Sequence, residues 1–259
     1  MAWRLSRRAA IGTATIGASL LAWWLLTAVT GIVGPQRFPS PAETWAALAQ
    51  LWDPGYAGGR LPQQVYHSLR LVLLSFLAAS AIGVPLGMAM GLSRRFEAFI
   101  NPTFLLLRPI PPLAWIPLAI VWFGLGDGGK IFTICLAAFV PATINAYVGV
   151  RNIDPIFLAA ARVHGASSAQ LVRDVILPGA LPLIFTGLRL SLQASWTTLV
   201  AAELVGAFFG LGRVLNVAYQ DIFPGMILVG MVLVSLAGAA TTMALAMVER
   251  RAIPWRAPL

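Results

Sequence analysis

About six apolar runs, each long enough to cross a bilayer, limit what this chain can fold into: 11–33, 65–92, about 99–123, 131–150, about 183–205 and about 226–248. A helix needs roughly 20 residues to span the hydrocarbon, and inside it every backbone polar group must bond within the protein. The chain is therefore expected to be all-α and polytopic, with about six transmembrane helices. Its 259 residues are 59% hydrophobic and 10% charged, a membrane composition. The expected organisation is a basic tail (1–10), a first span with an outer amphipathic segment (11–64), a transmembrane core (65–248) interrupted by a polar loop (151–182), and a second tail (249–259).

The formal net charge of +9 would suggest nucleic acid in a soluble protein. Here much of the basic charge falls in short loops and tails, with Arg70, Arg108 and Arg189 close to span ends and left uncounted; membrane orientation and anionic lipid account for it, so lipid is an expected partner and nucleic acid is not. Sorting by the six runs puts Arg4, Arg7, Arg8, Arg94, Arg95, Arg151, Arg162, Arg173, Arg250, Arg251 and Arg256 on one side, against Arg37, Arg60, Lys130 and Arg213 on the other. By the positive-inside rule the first set is cytoplasmic, with both termini inside. Arg7-Arg8 before an apolar run could be read as a secretion signal, but the run is too long for a signal core and contains Trp23-Trp24. Cys135 stands alone in an apolar run, so no disulfide framework is expected.

The loop from Arg151 to Pro182 reads RNIDPIFLAAARVHGASSAQLVRDVILPGALP. Asp154 before Pro155 is a helix start, since the carboxylate accepts an orphan N–H and proline suits the first helical position. Ala159, Ala160 and Ala161 leave the surface of that helix low, and Gly165 ends it. Ser167 with Gln170 resembles a capping box and starts a second short helix. Pro178 and Pro182 then punctuate the approach to the next span. This is a cytoplasmic helix-turn-helix, shaped for another protein to grip.

Elsewhere, Ser40, Pro41 and Glu43 predict a short helix on the outer surface to about Leu51. Gly83, Gly87 and Gly91, with Ala78, Ala79 and Ala81, permit close helix approach in the second span. His67 is read as interfacial, because His164, the other histidine, lies in the cytoplasmic loop; no metal site is expected. Pro109, Pro111, Pro112 and Pro117 kink or break the third span around Trp115, either beside a pathway or against neighbouring helices. Gly124 to Lys130 has phosphate-loop spacing, but Ile131 replaces the Ser or Thr that would hold magnesium, and a tight turn bearing Asp127 suffices. In the fifth span Gln193, Ser195, Thr197 and Thr198 lie near the middle and Glu203 near the outer end. With Trp115 they are the candidates for lining a translocation path, although Ser and Thr also serve as interhelical hydrogen bonders. The stretch FFGLGRVLNVAYQDIFPG, before the sixth span, is an outer loop or re-entrant piece.

The spacing Ala159-Ala160-Ala161, Gly165, Val175, Leu177-Pro178 resembles the "EAA" cytoplasmic loop of the membrane subunits of binding-protein-dependent ABC importers, with Ala159 where that family usually has Glu. FPSPAETW, LLLRPIPPLAWIPLAIVWFG and WTTLVAAEL look like the subfamily serving nitrate, sulfonate, taurine and related anions. The resemblance implies a bacterial inner-membrane permease homodimer, two cytoplasmic ATPase subunits and a periplasmic substrate-binding protein. It also implies that Pro155, Ala159, Ala160, Ala161, Gly165, Val175, Leu177 and Pro178 couple to the ATPase. This chain then binds no cofactor; ATP and Mg are used by the partner. A gradient-driven secondary transporter or channel is the alternative, and would need intramembrane acids or an inverted repeat. A membrane enzyme would need a nucleophile, base or acid cluster, and the chain offers no catalytic constellation.

Overall fold

In the computed structural model of the protein, residues 2–31, 33–34 and 37–255 are described, with side chains from residue 10 onward; Arg256 and the side chains of Arg4, Arg7 and Arg8 lie outside them. The elements in order are α1 (Ala2–Trp24), running on as a π-helical turn (Leu25–Val29), then α2 (Pro41–Trp52), α3 (Leu61–Leu92) and α4 (Arg94–Leu107). A 3-10 turn (Pro112–Trp115) leads into α5 (Ile116–Phe123), followed by α6 (Asp127–Arg151), α7 (Pro155–Val163) and α8 (Ser168–Gln170). A π-helical stretch (Leu171–Ile176), α9 (Leu177–Gly206), α10 (Leu211–Gln220) and α11 (Pro224–Ala252) complete the chain. Among the described residues there is no β-strand, only an isolated bridge between Tyr56 and Gly59.

Five of these helical stretches are long and apolar enough to cross a membrane, and the pair α4 and Pro112–Phe123, bent by 81°, makes a sixth if counted as one span. The bend falls where Pro109, Pro111 and Pro112 withdraw backbone donors from successive turns. Two of the boundaries that differ from the sequence expectation have a local cause. The fourth span begins at Asp127 rather than Ile131, because the turn closes within three residues, Gly124 at φ +75° and Gly126 in extended backbone, and the Asp127 carboxylate favours a helix N-terminus. Residues 168–206 form one 39-residue helical run, not a short helix followed by a separate span. Pro178 interrupts nothing because it occupies the first turn of α9, directly after the π-helical stretch has widened the register.

The helix α6 lies between α3 and α9, and the three make the bundle centre. Lipid tails give helices no hydrophobic reason to associate, so contact must come from close packing. Gly83, Gly87 and Gly91 lie four apart on one face of α3. A methyl on Gly83 would meet Thr143 Oγ1 at 2.9 Å, one on Gly91 would meet Val150 Cβ at 2.6 Å, and one on Gly87 would fall on the Thr143 carbonyl. On the other side of α6, a methyl on Gly187 of α9 would meet Asn145 Cβ at 2.5 Å.

Three apolar clusters stack along this frame. Leu71, Phe76, Ile134, Leu192, Trp196 and Leu199 fill the middle. Ala146, Val150, Leu171, Ile176 and Ile184 fill the end near α7. Ala47, Leu51, Val214, Ala218 and Met226 join α2, α10 and α11 at the opposite end. The span of α1 has no residue buried; Trp23 ties it on by donating from Nε1 to the Pro39 carbonyl at 2.8 Å and by an edge-to-face contact with Phe38.

The glycine stripe predicts unequal tolerance. Gly87→Leu should lower the unfolding midpoint of the detergent-solubilised protein by several degrees, an overpacking cost of roughly 1–3 kcal/mol. Gly238→Ala, whose new methyl would meet Trp196 only at 3.8 Å, should leave it unchanged. Differential scanning fluorimetry checks both.

Candidate functional site

Two constellations stand out, one at each end of the bundle. At the first, Asp154 accepts from Ile156 N at 2.9 Å and opens α7, with Pro155 in its first turn. The helix closes with Ala166 N donating to the Ala161 carbonyl at 3.0 Å and Gly165 N to Arg162 at 2.9 Å, Gly165 standing at φ +79°. This Schellman-type closure requires a left-handed residue, and the space around a Gly165 methyl is empty, so backbone conformation alone selects glycine there. Ser167 and Gln170 form the expected reciprocal cap: Ser167 N donates to Gln170 Oε1 at 2.8 Å, and Gln170 N to Ser167 Oγ at 3.4 Å.

Only one face of α7 belongs to the bundle. Leu158 and Ala161, three apart, pack on the cluster of Leu171 and Ile176, while Ile156, Phe157, Ala159, Ala160 and Val163 are exposed. Val175 and Pro178 are half-buried and Leu177 is at the surface. Beside this loop, Tyr147 Oη donates to Glu97 Oε1 at 2.5 Å and Arg151 pairs with the same carboxylate, which clamps the start of α4 to the end of α6.

At the opposite end a carboxylate is sealed inside the protein. Glu203 is 1% exposed. Its Oε2 accepts from Gly212 N at 2.7 Å, and its Oε1 from Ser68 Oγ at 2.8 Å. Ser68 Oγ in turn accepts from Leu211 N at 2.8 Å, and Gln64 Oε1 accepts from Gly210 N at 2.6 Å. Three consecutive N–H groups at the start of α10 thus find side-chain acceptors from α3 and α9, and the buried anion faces a helix N-terminus, where it is stabilised. Gly210 at φ +123° and Gly212 have no room for a side chain, because a methyl on either would strike Glu203.

Three more polar side chains lie beside it. His67 Nδ1 lies 4.0 Å from Glu203 Oε1, its Nε2 lies 3.3 Å from Asp127 Oδ1, and Lys130 Nζ lies 3.6 Å from the same oxygen. Lys130, expected in an outer loop, is buried in the first turns of α6, so the phosphate-loop spacing is a turn and a helix start. Nearby Tyr56 donates to Asp221 Oδ2 at 2.6 Å, and burial, then that hydrogen bond, push its phenol well above the usual range.

The structure divides the candidates for the path. Gln193 and Thr197 are exposed one turn apart on α9. Ser195 and Thr198 are buried on the inner side of the same helix, Ser195 donating to the Ser191 carbonyl at 2.8 Å. Trp115 sits half-buried in an aromatic group with Phe132, 6.4 Å between ring centres. Gln64, Ser68, Asp127, Lys130 and the glycines of α10 were not among the sequence candidates. The visible signal was Gln64, His67 and Ser68 at helical spacing, a polar stripe at the start of an apolar run. Among the described residues no group of three or more His, Cys, Asp or Glu could hold a metal ion.

Comparison with known proteins adds the lineage. The family described as "Binding-protein-dependent transport system inner membrane component" matches residues 83–254. The chain is 37% identical over 254 residues to the taurine transport system permease protein TauC of Escherichia coli (strain K12), covering 98% of this chain and 92% of that protein. It is 34% identical over 239 residues to the putative aliphatic sulfonates transport permease protein SsuC of Bacillus subtilis (strain 168), covering 92% and 85%. Its fold is similar to that of a chain in a solved inward-facing structure of the MetNI methionine ABC transporter, with a TM-score of 0.60 at 24% identity, covering 74% of this chain and 95% of that one.

The sealed carboxylate carries its own test. Glu203→Ala orphans the Gly212 N–H and the Ser68 hydroxyl and should cost about 2–6 kcal/mol, from the 1–3 kcal/mol typical of each unsatisfied group. Glu203→Gln keeps an acceptor and should cost less than half of that. Hydrogen exchange at Gly210, Leu211 and Gly212 is the readout, and protection unchanged in Glu203→Ala would show that α10 does not depend on this anchor.

Proposed function

The chain belongs to the binding-protein-dependent transport inner-membrane component family, as the multi-pass permease subunit of an ABC importer, and from that premise we propose that it carries small sulfonates of the taurine type. In this reading the α7 end faces the cytoplasm, as do both termini, and the α10 end faces the periplasm, where a substrate-binding protein delivers the anion. Two copies of the chain pair across the path. ATP and Mg are bound and hydrolysed by separate ATPase subunits.

The observation that carries the reading is the exposed face of α7. Ile156, Phe157 and Val163 present apolar surface beside the low alanines Ala159 and Ala160, on an element fixed to the bundle by its other face. An apolar patch on a polar loop marks a protein contact, and its position at the head of the 168–206 helical run lets a docked ATPase push on a span. Ala159, at the position of the family's usual Glu, makes that contact through packing. Val175, Leu177 and Pro178 set the angle at which the run leaves the loop.

Along the path, Gln193 offers its amide N–H to the sulfonate from the exposed side of α9, and Thr197, whose hydroxyl donates to the Ala194 carbonyl at 3.0 Å, lines the same side. Trp115 stands at the break in the third span. Ser195, Thr198 and Glu203 shape the path from behind, by fixing the helix that presents those groups. A gradient-driven transporter has no observation in its favour, since the acid buried deepest in the bundle is bonded on both oxygens by the protein itself.

Reconstituted with its ATPase and binding protein, Gly165→Val should lose about tenfold in ATP-driven taurine uptake. A branched side chain in the left-handed region costs roughly 1–2 kcal/mol, which is about tenfold in docking. Insertion and yield should be normal, and Gly165→Asn should keep most of the activity because Asn tolerates that conformation. Undiminished uptake by Gly165→Val, or uptake that survives ATP depletion, would remove the reading.

A further inference from the structure

Away from both constellations, a groove of about 360 Å³ opens at the α10 end between the segment 37–39, the end of α10 and the first two turns of α11. Its walls include Phe38, Tyr219, Ile222, Leu228 and Met231, and its one charged group is Arg37. We propose that this groove binds an anionic phospholipid, with an acyl chain against Ile222 and Met231 and the phosphate on Arg37.

The rim is built to hold the cation in place. Trp23 donates to the Pro39 carbonyl and packs on Phe38, so the short segment bearing Arg37 is pinned to α1 on one side and borders the groove on the other. Among the described residues Arg37 has no ion-pair partner. The carboxylate closest in sequence to the groove wall, Asp221, is already engaged by Tyr56 Oη at 2.6 Å. A phosphate can therefore approach Arg37 without displacing an internal pair, and arginine meets phosphate oxygens with a planar fork of donors.

The floor carries a strained and largely exposed residue. Ile222 occupies φ +51° at the end of α10, where Phe223 N donates to the Ala218 carbonyl at 2.8 Å and Ile222 N to Tyr219 at 3.2 Å. This closure ordinarily uses glycine, and for a β-branched residue the conformation is a genuine outlier. Yet the Ile222 side chain is 78% exposed, as Tyr219 beside it is 74% exposed. Glycine at this position would relieve the strain and leave the groove floor bare. On the membrane-spanning assignment α11 enters the bilayer beside this groove, so an acyl chain is the apolar partner at hand, and the cation on the rim selects the headgroup.

The inference rests on the membrane-spanning assignment and not on the substrate, so it stands or falls separately from the Gly165 experiment. The complete importer is reconstituted with brominated phosphatidylglycerol or brominated phosphatidylcholine at equal mole fraction, and Tyr219→Trp serves as the reporter, read as the difference from the unsubstituted protein. Quenching by phosphatidylglycerol is expected to exceed that by phosphatidylcholine about fivefold, the roughly 1 kcal/mol that one arginine contributes to an anionic lipid surface. Arg37→Gln should bring the two lipids to parity, and Ile222→Asp should weaken quenching by both. Equal quenching in the reporter alone means general lipid contact and overturns the site, as does a preference that survives Arg37→Gln. A reporter shielded from both lipids means the groove is covered by a second copy or another protein, and overturns it equally.

Discussion

The close approach of α6 to both α3 and α9 is the condition on which the other features depend. In water, burial of apolar surface would pull such helices together; between lipid tails it does not, and what holds them is the density of contact that small residues allow. Gly83, Gly87 and Gly91 on one side and Gly187 on the other bring the backbones near enough for side chains to reach across to them. Ser191 Oγ donates to the Ala138 carbonyl at 2.6 Å, a bond between the α9 side chain and the α6 backbone. At ordinary helix separations that hydroxyl would turn back on its own helix, as Ser195 does on the Ser191 carbonyl at 2.8 Å, and the tie between α9 and α6 would be lost.

Charge inside the bundle follows the same logic. Glu203 is tolerated because α10 offers its free N–H groups, and α10 is held because Glu203 is there. Lower down, Arg189 meets both Glu249 oxygens at 2.9 Å, joining α9 to α11. Removing Arg189 is the expensive change, because Glu249 would stay buried without that counter-charge. The acids at Glu97, Glu203 and Glu249 are all committed to partners within the chain. Much of the remaining basic charge falls in loops and tails along the sequence.

The parts legible in the sequence were those set by neighbouring residues. Run lengths gave the spans, and the two capping boxes, Ser40 with Glu43 and Ser167 with Gln170, formed as their spacing predicts. Gly165 is left-handed because a helix closure needs it, a local requirement. What escaped was long-range. Gln64 and Gly210 are separated by 146 positions, and Ser68 and Glu203 by 135, so nothing in either stretch announces the other. The proline-rich third span read as broken, but its 81° angle depends on which neighbours receive the two halves. Leu177-Pro178 suggested a boundary, since proline at a helix start and proline after a helix end look alike in sequence. The polar group in α9 separated because 193 and 197 lie about 40° apart around a helix, whereas 193 and 195 lie about 200° apart. Which side is buried becomes visible only once α6 is in place.

The run 168–206 connects the two constellations mechanically. Its 39 residues amount to about 58 Å of helix, with the loop at one end and Glu203 near the other. Such a rod tilts more readily than it bends, and the π-helical stretch at 171–176 lies in its first turns, below the part that crosses the bundle. Gly165, at the joint between α7 and α8, is where the backbone must turn, so a push on α7 reaches the rod through one short, stiff connection. At the far end the rod cannot move without carrying Glu203, and Glu203 cannot move without taking Ser68 of α3 or releasing the N-terminus of α10. On the proposed function, this makes the sealed carboxylate the point where a displacement that begins at the ATPase face becomes a choice between two arrangements. Packed bundles answer such a push by switching rather than by deforming smoothly, since interiors at this density have few intermediate packings.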